Sequence, residues 1–114
     1  MHEASLAEGI INTVVEHAGG AKVQQIFLVI GESSGVMGES LSMYFDIYAE
    51  NTLCEGATIE IEIVKPKLMC KACGELFVRK PFSFECTCGG EGRPTDIGRE
   101  FFIKSITVEE HSKE

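Results

Sequence analysis

Residues 67–96 carry four cysteines and several glycines but too few apolar side chains for a core of their own, and this constrains the fold more than any other feature. Ordering a residue costs roughly 1–2 kcal/mol of backbone entropy, which in this stretch packing cannot offset. The cysteines stand as Cys70-Lys71-Ala72-Cys73 and, twelve residues on, Cys86-Thr87-Cys88-Gly89-Gly90. Zinc takes four thiolate or imidazole donors in a tetrahedron, and two tight pairs joined by a short hairpin supply them at small loop-closure cost. The span from Leu76 to Phe84 is long enough to be that hairpin. The second pair is Cys-x-Cys, one residue shorter than the usual zinc-ribbon turn. A closed four-thiolate shell leaves no position for a substrate, so zinc here is expected to be structural. Rubredoxin-like iron is the rival occupant, although such sites normally use two full Cys-x-x-Cys pairs. A redox dithiol at Cys70 and Cys73 lacks the surrounding βαβ pattern. Cys54, far from both pairs, reads as a small buried hydrophobe.

The flanking sequence has periodicities that can build a core. From Ser5 to Ala18 the apolar residues Leu6, Ile10, Ile11, Val14, Val15 and Ala18 recur at three and four, which predicts an amphipathic helix. Ser5 and Glu8 have capping-box spacing, and Gly19-Gly20 supplies a left-handed stop. Val23 to Ile30, apolar on both parities, predicts a strand covered on both faces at the centre of the core. A turn-rich link from Gly31 to Gly38 leads to a second helix over 39–50, marked by Leu41, Tyr44, Phe45 and Tyr48. After a loop over 51–56, Ala57, Ile59, Ile61 and Ile63 alternate with Thr58, Glu60 and Glu62, the pattern of a strand with one buried face. Lys65-Pro66 closes it. Phe101 to Val108 reads as a last strand, with 111–114 a frayed tail. The fold class is therefore α+β: a small mixed sheet of about three strands with two helices, plus an inserted zinc-ribbon-like domain. The first unit takes residues 1–66 and 97–114, and the insert takes 67–96.

Ten basic against eighteen acidic residues in a chain of 114 give a formal charge of −8. That repels phosphate backbones and anionic membrane surfaces, so neither nucleic acid nor membrane is an expected partner. No stretch approaches the roughly 20 apolar residues that span a bilayer, and the N-terminus lacks signal-peptide features. A cytoplasmic location is expected, where paired cysteines read as metal ligands rather than disulfides.

The chain begins Met1-His2-Glu3. The terminal amine of Met1, the deprotonated amide of His2 and a ring nitrogen of His2 can form adjacent chelate rings in one plane. Planar nitrogen donors suit Ni(II) or Cu(II), whereas Zn(II) prefers a tetrahedron. Glu3 also has a simpler explanation, since an acidic residue suits the first turn of a helix. His17, near the end of the first predicted helix, complements the helix dipole, and is also a candidate second-sphere or alternative metal ligand; His111 in the tail reads as solvated.

Met1-His2-Glu3-Ala4-Ser5-Leu6-Ala7 opening a helix is similar to the start of the HypA/HybF family of hydrogenase nickel-insertion proteins. The resemblance continues through Ile30-Gly31-Glu32-Ser33-Ser34-Gly35-Val36, Glu39-Ser40-Leu41, Tyr44-Phe45-Asp46, Thr52, Glu55-Gly56-Ala57, Ile59-Glu60-Ile61-Glu62, the Cys70 and Cys73 pair, and Ile103-Lys104-Ser105-Ile106. It implies a nickel metallochaperone with a nickel-binding N-terminal α+β domain and an inserted zinc domain. Such a protein works with the HypB GTPase to load nickel into the large subunit of [NiFe]-hydrogenase, and in some organisms serves urease. Position by position, the resemblance makes His2 the nickel imidazole, Met1 the terminal nitrogen and Glu3 the residue that completes the nickel-binding motif, with Cys70, Cys73, Cys86 and Cys88 holding zinc. The departure is Thr87 standing alone where the family has two residues between cysteines.

Nickel transfer of this kind is ligand exchange and not catalysis, so no enzyme activity is expected. Two other classes are weighed against it. A zinc-ribbon module for protein binding or transcription would want a basic face, which the acidic balance opposes. A metalloenzyme would want a zinc with an open position, yet the simplest site uses all four cysteines. A homodimer, by exchange of the exposed insert, is open to such a chain, though no residue argues for it.

Overall fold

The structure, a computed structural model, describes residues 3–109. Helix α1 runs Glu3–His17, strand β1 Val23–Gly31, helix α2 Gly38–Tyr48 and strand β2 Thr58–Val64. Three short strands follow, β3 Lys67–Cys70, β4 Leu76–Val78 and β5 Gly92–Pro94, before β6 Phe101–Val108. Two three-stranded sheets result, ordered β2-β1-β6 and β4-β3-β5.

The first sheet is mixed, as expected: β1 lies at its centre, parallel to β2 and antiparallel to β6. Ile26, Leu28 and Ile30 of β1 point into one cluster with Ala7, Ile10, Ile11 and Val14 of α1 and Leu41 and Phe45 of α2. Alternating Ile59 and Ile61 of β2, and Phe101 and Ile103 of β6, pack against the same cluster. Both helices therefore lie on one face of the sheet. The expectation that β1 is covered on both faces is corrected: Val29 on the outer face is buried, yet the residues paired with it are Glu62 and Phe102, and Phe27 beside it pairs with Glu60 and Ser105.

The helix ends also shift. α1 begins at Glu3, which places Ser5 inside the first turn, so the Ser5–Glu8 capping box does not form. The acidic group that meets the dipole is Glu3 itself. α2 stops at Tyr48 instead of Glu50, with the Ala49 N–H bonded to the Phe45 carbonyl and Asn51 just beyond at φ 64°. The stop after α1 is as read, Gly19 and Gly20 both having positive φ. Residues 1–2 and 110–114, including His111, lie outside the described residues.

Residues 67–96 do not form a free-standing hairpin over 76–84. β4 turns back instead on β3, pairing Leu68 with Phe77, while β5 pairs with the other edge of β3. Leu68 is the only buried non-cysteine apolar residue of this sheet among the described residues. A Cβ at Gly92 would come within 2.5 Å of the Phe77 ring, so the bare backbone lets that ring cover Leu68. At the far turn Phe82 has φ 61°, a conformation that costs an L-residue roughly 1–2 kcal/mol.

The chain passes between the two sheets at 64–67 and 94–101, and both passages are tied to the end of the first sheet. The Gly31 N–H donates to the Glu100 carbonyl at 2.6 Å, Glu32 N–H to Val64 at 2.8 Å and Ser33 N–H to Gly98 at 2.7 Å. The outcome is elongated, 64 × 30 × 17 Å, with a radius of gyration of 18.4 Å against about 13 Å for a compact domain of this length.

Candidate metal centre

Two tight turns from opposite sides build the cysteine centre. Cys70 closes β3, its N–H bonded to the Glu75 carbonyl at 2.9 Å, and the chain reverses through Gly74 at φ 78°, whose N–H reaches the Cys70 carbonyl at 3.0 Å. Cys73 lies on that turn. Across from it, Glu85 bridges Glu91, and the Cys86 N–H bonds to the Gly90 carbonyl at 2.8 Å. The Gly89 N–H reaches back to Cys86 at 2.9 Å, with Gly89 at φ 92°.

All four sulfurs lie within 4.8 Å of one another. Cys70 Sγ and Cys88 Sγ are 3.4 Å apart, and Cys73 Sγ and Cys86 Sγ 3.8 Å. A zinc with bonds of about 2.3 Å to each corner of a tetrahedron sets its sulfurs about 3.8 Å apart, inside this range. Backbone N–H groups point at the sulfurs: Ala72 and Cys73 at Cys70, and Gly90 at Cys88, each at 3.4 Å. Such donors stabilise thiolate, the form that binds metal. The donor set, spacing and second shell all fit zinc, which Cys70, Cys73, Cys86 and Cys88 would hold as a cross-link. The single residue Thr87 does not keep the second pair from its corner.

Gly90 is a site residue that motif spacing alone does not reveal. A Cβ there would lie 2.6 Å from Cys70 Sγ and 2.7 Å from Ala72 Cβ, so only glycine lets the second turn close on the first. Its signal in the sequence is the pair Gly89-Gly90 directly after Cys88. The Lys71–Glu91 ion pair at 3.0 Å also spans the turns, but both side chains are mostly exposed and it adds little.

Crowding sets the thiol chemistry. The Cys73 N–H, above all, holds Cys70 down to about 6, helped by the Ala72 N–H and by Cys88 and Cys73 sulfurs, and opposed by burial. Cys73 goes the other way: the Glu75 N–H lowers it, but Cys70, burial, Cys88 and Cys86 together push it up to about 12. Cys88 is also raised: the Gly90 N–H and Cys73 lower it, but Cys70, Cys86 and burial outweigh them. Between pH 7 and 8 the metal-free cluster thus keeps protons on Cys73 and Cys88 that a divalent cation must displace. Zinc uptake at pH 7.5 is expected to release at least about two protons, and affinity to fall as pH drops. Calorimetry in buffers of different ionisation heat measures this; release of none would mean the thiols are already ionised.

The remaining predicted site residues are divided. Met1 and His2 lie outside the described residues. The Glu3 carboxylate accepts the Met37 N–H at 3.2 Å, and Met37 is the N-cap of α2, which has no side-chain cap of its own. This contact fixes the start of α1 at the end of the sheet where β1 and β2 finish and the chain leaves for residues 67–96, since Gly31 and Met37 bracket one short link. His17 stands at the opposite end of α1, about 21 Å along the helix from Glu3, with Nδ1 donating to the Thr13 carbonyl at 2.8 Å. It cannot share a metal with Glu3 of the same chain.

Residues 1–108 match the family described as HypA, hydrogenase/urease nickel incorporation, metallochaperone. The hydrogenase maturation factor HypA of Caldanaerobacter subterraneus subsp. tengcongensis is 44% identical over 114 residues, covering 96% of this chain and 100% of that protein. The factor of the same name from Nostoc punctiforme is 40% identical over 111 residues, covering 96% and 97%. A solution structure of the Ni metallochaperone HypA from Helicobacter pylori superposes with a TM-score of 0.63 at 28% identity, covering 95% of this chain and 97% of that one. A second solution structure, of HypA protein, reaches 0.69 at 26% identity, covering 95% and 96%.

Proposed function

Because the chain belongs to the HypA family of nickel-incorporation metallochaperones, we propose that it carries Ni(II) at its own N-terminus and passes it to the large subunit of [NiFe]-hydrogenase. The observation that carries the reading is a family match that begins at Met1 and therefore includes Met1-His2-Glu3. The Met1 amine, the His2 amide and the His2 imidazole offer three nitrogens in one plane, which suits Ni(II). Glu3 completes the proposed nickel-binding set with Met1 and His2, and its carboxylate, on the Met37 N–H, anchors the first turn of α1.

Transfer is ligand exchange. A terminal chelate can be displaced one donor at a time by an acceptor: nickel–nitrogen bonds give way to bonds to the acceptor's donors, the freed amide and amine nitrogens regain protons, and the carbon framework of both proteins is unchanged. Binding requires a neutral imidazole and loss of amine and amide protons, so nickel affinity is lost as pH falls. In this reading residues 1–66 and 97–114 form the nickel unit and 67–96 the zinc unit. Zinc, when bound, supplies only a cross-link. The partners are a HypB-type GTPase and the hydrogenase precursor in the cytoplasm, with urease a further acceptor and a homodimer a further assembly. No helix among the described residues is long and apolar enough to cross a membrane.

The test moves the amine while leaving every side chain unchanged. Protein with its native Met1 is expected to bind one nickel with a square-planar visible spectrum. A form extended by one glycine before Met1 is expected to lose that spectrum or most of its affinity by calorimetry. Identical titrations would place nickel elsewhere.

A further inference from the structure

The turn between the two cysteine pairs carries a side chain that the fold does not call for. Lys80, Pro81, Phe82 and Ser83 close a β-turn through the Ser83 N–H and the Lys80 carbonyl at 3.2 Å. Proline in second place fixes a negative φ there, and Phe82 in third place has φ 61°, which together define a type II turn. That third position ordinarily takes glycine or asparagine, because a Cβ is strained there. Here it holds a phenylalanine whose ring is fully exposed. Phe84 is about half exposed as well, with the Arg79 guanidinium 4.4 Å from its ring centroid. Glycine at 82 would relieve the backbone and remove apolar surface from water, so nothing among the described residues accounts for the ring.

Its setting suits recognition. Arg79 and Lys80 put two cations just ahead of the ring in the sequence, on a chain of net charge −8. The base of the turn is fixed: the Gly92 N–H bonds to the Phe84 carbonyl at 2.7 Å, the Glu85 N–H to Ser83 Oγ at 3.1 Å, and the sulfurs of Cys73 and Cys86 close the loop below. An aromatic ring held on a rigid turn loses little freedom on docking, the condition under which such rings act as interface anchors.

We infer that residues 79–84 are a docking finger for the nickel acceptor: Phe82 enters an apolar pocket of that protein while Arg79 and Lys80 meet carboxylates at its rim. The finger rests on the proposed delivery role for the identity of its partner. A membrane is the poorer occupant, because one ring and two cations fall short of the two signals that stable anchoring takes, and the net charge opposes anionic lipid.

The experiment uses the full zinc-loaded chain and immobilised hydrogenase large-subunit precursor, comparing wild type, Phe82→Gly and an Arg79→Glu/Lys80→Glu pair. Phe82→Gly is expected to keep its zinc and nickel stoichiometry and to unfold no more easily than wild type. It should nevertheless bind the precursor at least about 30-fold more weakly, the loss typical of an aromatic anchor. The charge-reversed pair should associate more slowly, with the difference shrinking as salt is raised. Equal binding by wild type and Phe82→Gly overturns the finger alone, whereas a wild type that does not bind the precursor overturns the delivery reading with it. Phe82-dependent self-association in sedimentation, or Phe82-dependent binding to anionic phospholipid vesicles, without such dependence on the precursor overturns the assignment of partner.

Discussion

Replacing Cys70 with serine is expected to weaken zinc binding about a hundredfold, so that a chelator the wild type resists strips the metal and unfolds residues 67–94 while the β2-β1-β6 sheet and its helices stay folded. Cys70 is the more deeply buried of the two buried corners, Cys70 and Cys86: it ends β3, the central strand of the small sheet, and accepts two backbone N–H groups. A serine oxygen is a poor zinc donor at neutral pH because it does not ionise. Structural zinc contributes about 10–16 kcal/mol across four ligands in small zinc-held folds. One ligand's share is then about 3 kcal/mol or more, an affinity loss on the order of a hundredfold. Apart from cysteines, only Leu68 is buried in this sheet among the described residues, so little packing remains once the metal is gone. The α+β unit has its own core around Ile26, Leu28, Leu41 and Phe45 and does not depend on zinc. Competition with a chromophoric chelator reads the affinity, and hydrogen exchange reads the two sheets separately. Persistent protection of β3 and β5 amides in the zinc-free variant would show that packing, and not metal, holds the insert.

That asymmetry explains what the sequence reveals and what it hides. α1 and β2 were legible because burial on one face imposes a period, 3.6 for Ile10, Ile11 and Val14 and 2 for Ile59 and Ile61. The zinc ligands were legible because thiolates must be close in sequence to be brought together cheaply. The strands β3, β4 and β5 were not, since elements of three or four residues ordered by a metal need no hydrophobic pattern. The outer face of β1 misled for a related reason. Phe27 and Val29 are apolar, but whether they face a second layer or the side chains of Glu60, Glu62 and Phe102 depends on pairing across residues far apart in the chain. The Ser5–Glu8 box failed because Glu3 finds a partner in Met37, thirty-four positions away, and the helix begins there. Gly90 and Gly98 likewise look like ordinary turn glycines until the segments they touch are in place.

Gly98 leads to the second large effect: Gly98→Ala is expected to destabilise the junction between the two sheets by about 4 kcal/mol, combining backbone strain and overpacking. At φ 103° the residue occupies a region that side chains rarely adopt, and an added Cβ would lie 2.7 Å from Pro66 Cα and 2.9 Å from its nitrogen. Both contacts are with backbone, which cannot move aside as a flexible side chain would. The Gly98 carbonyl receives the Ser33 N–H at 2.7 Å, and its own N–H donates to Glu100 Oε1 at 2.8 Å, so a shift at 98 disturbs both chains that lead out of the first sheet. The cysteine turns do not touch Gly98 and should keep zinc. The expected signature is therefore faster exchange at the Ser33 and Gly31 amides and a lowered unfolding midpoint, with zinc affinity near that of wild type. If stability were instead unchanged, the approach of Gly98 to Pro66 would be adjustable and the junction a hinge; if zinc were lost as well, the two units would fold as one.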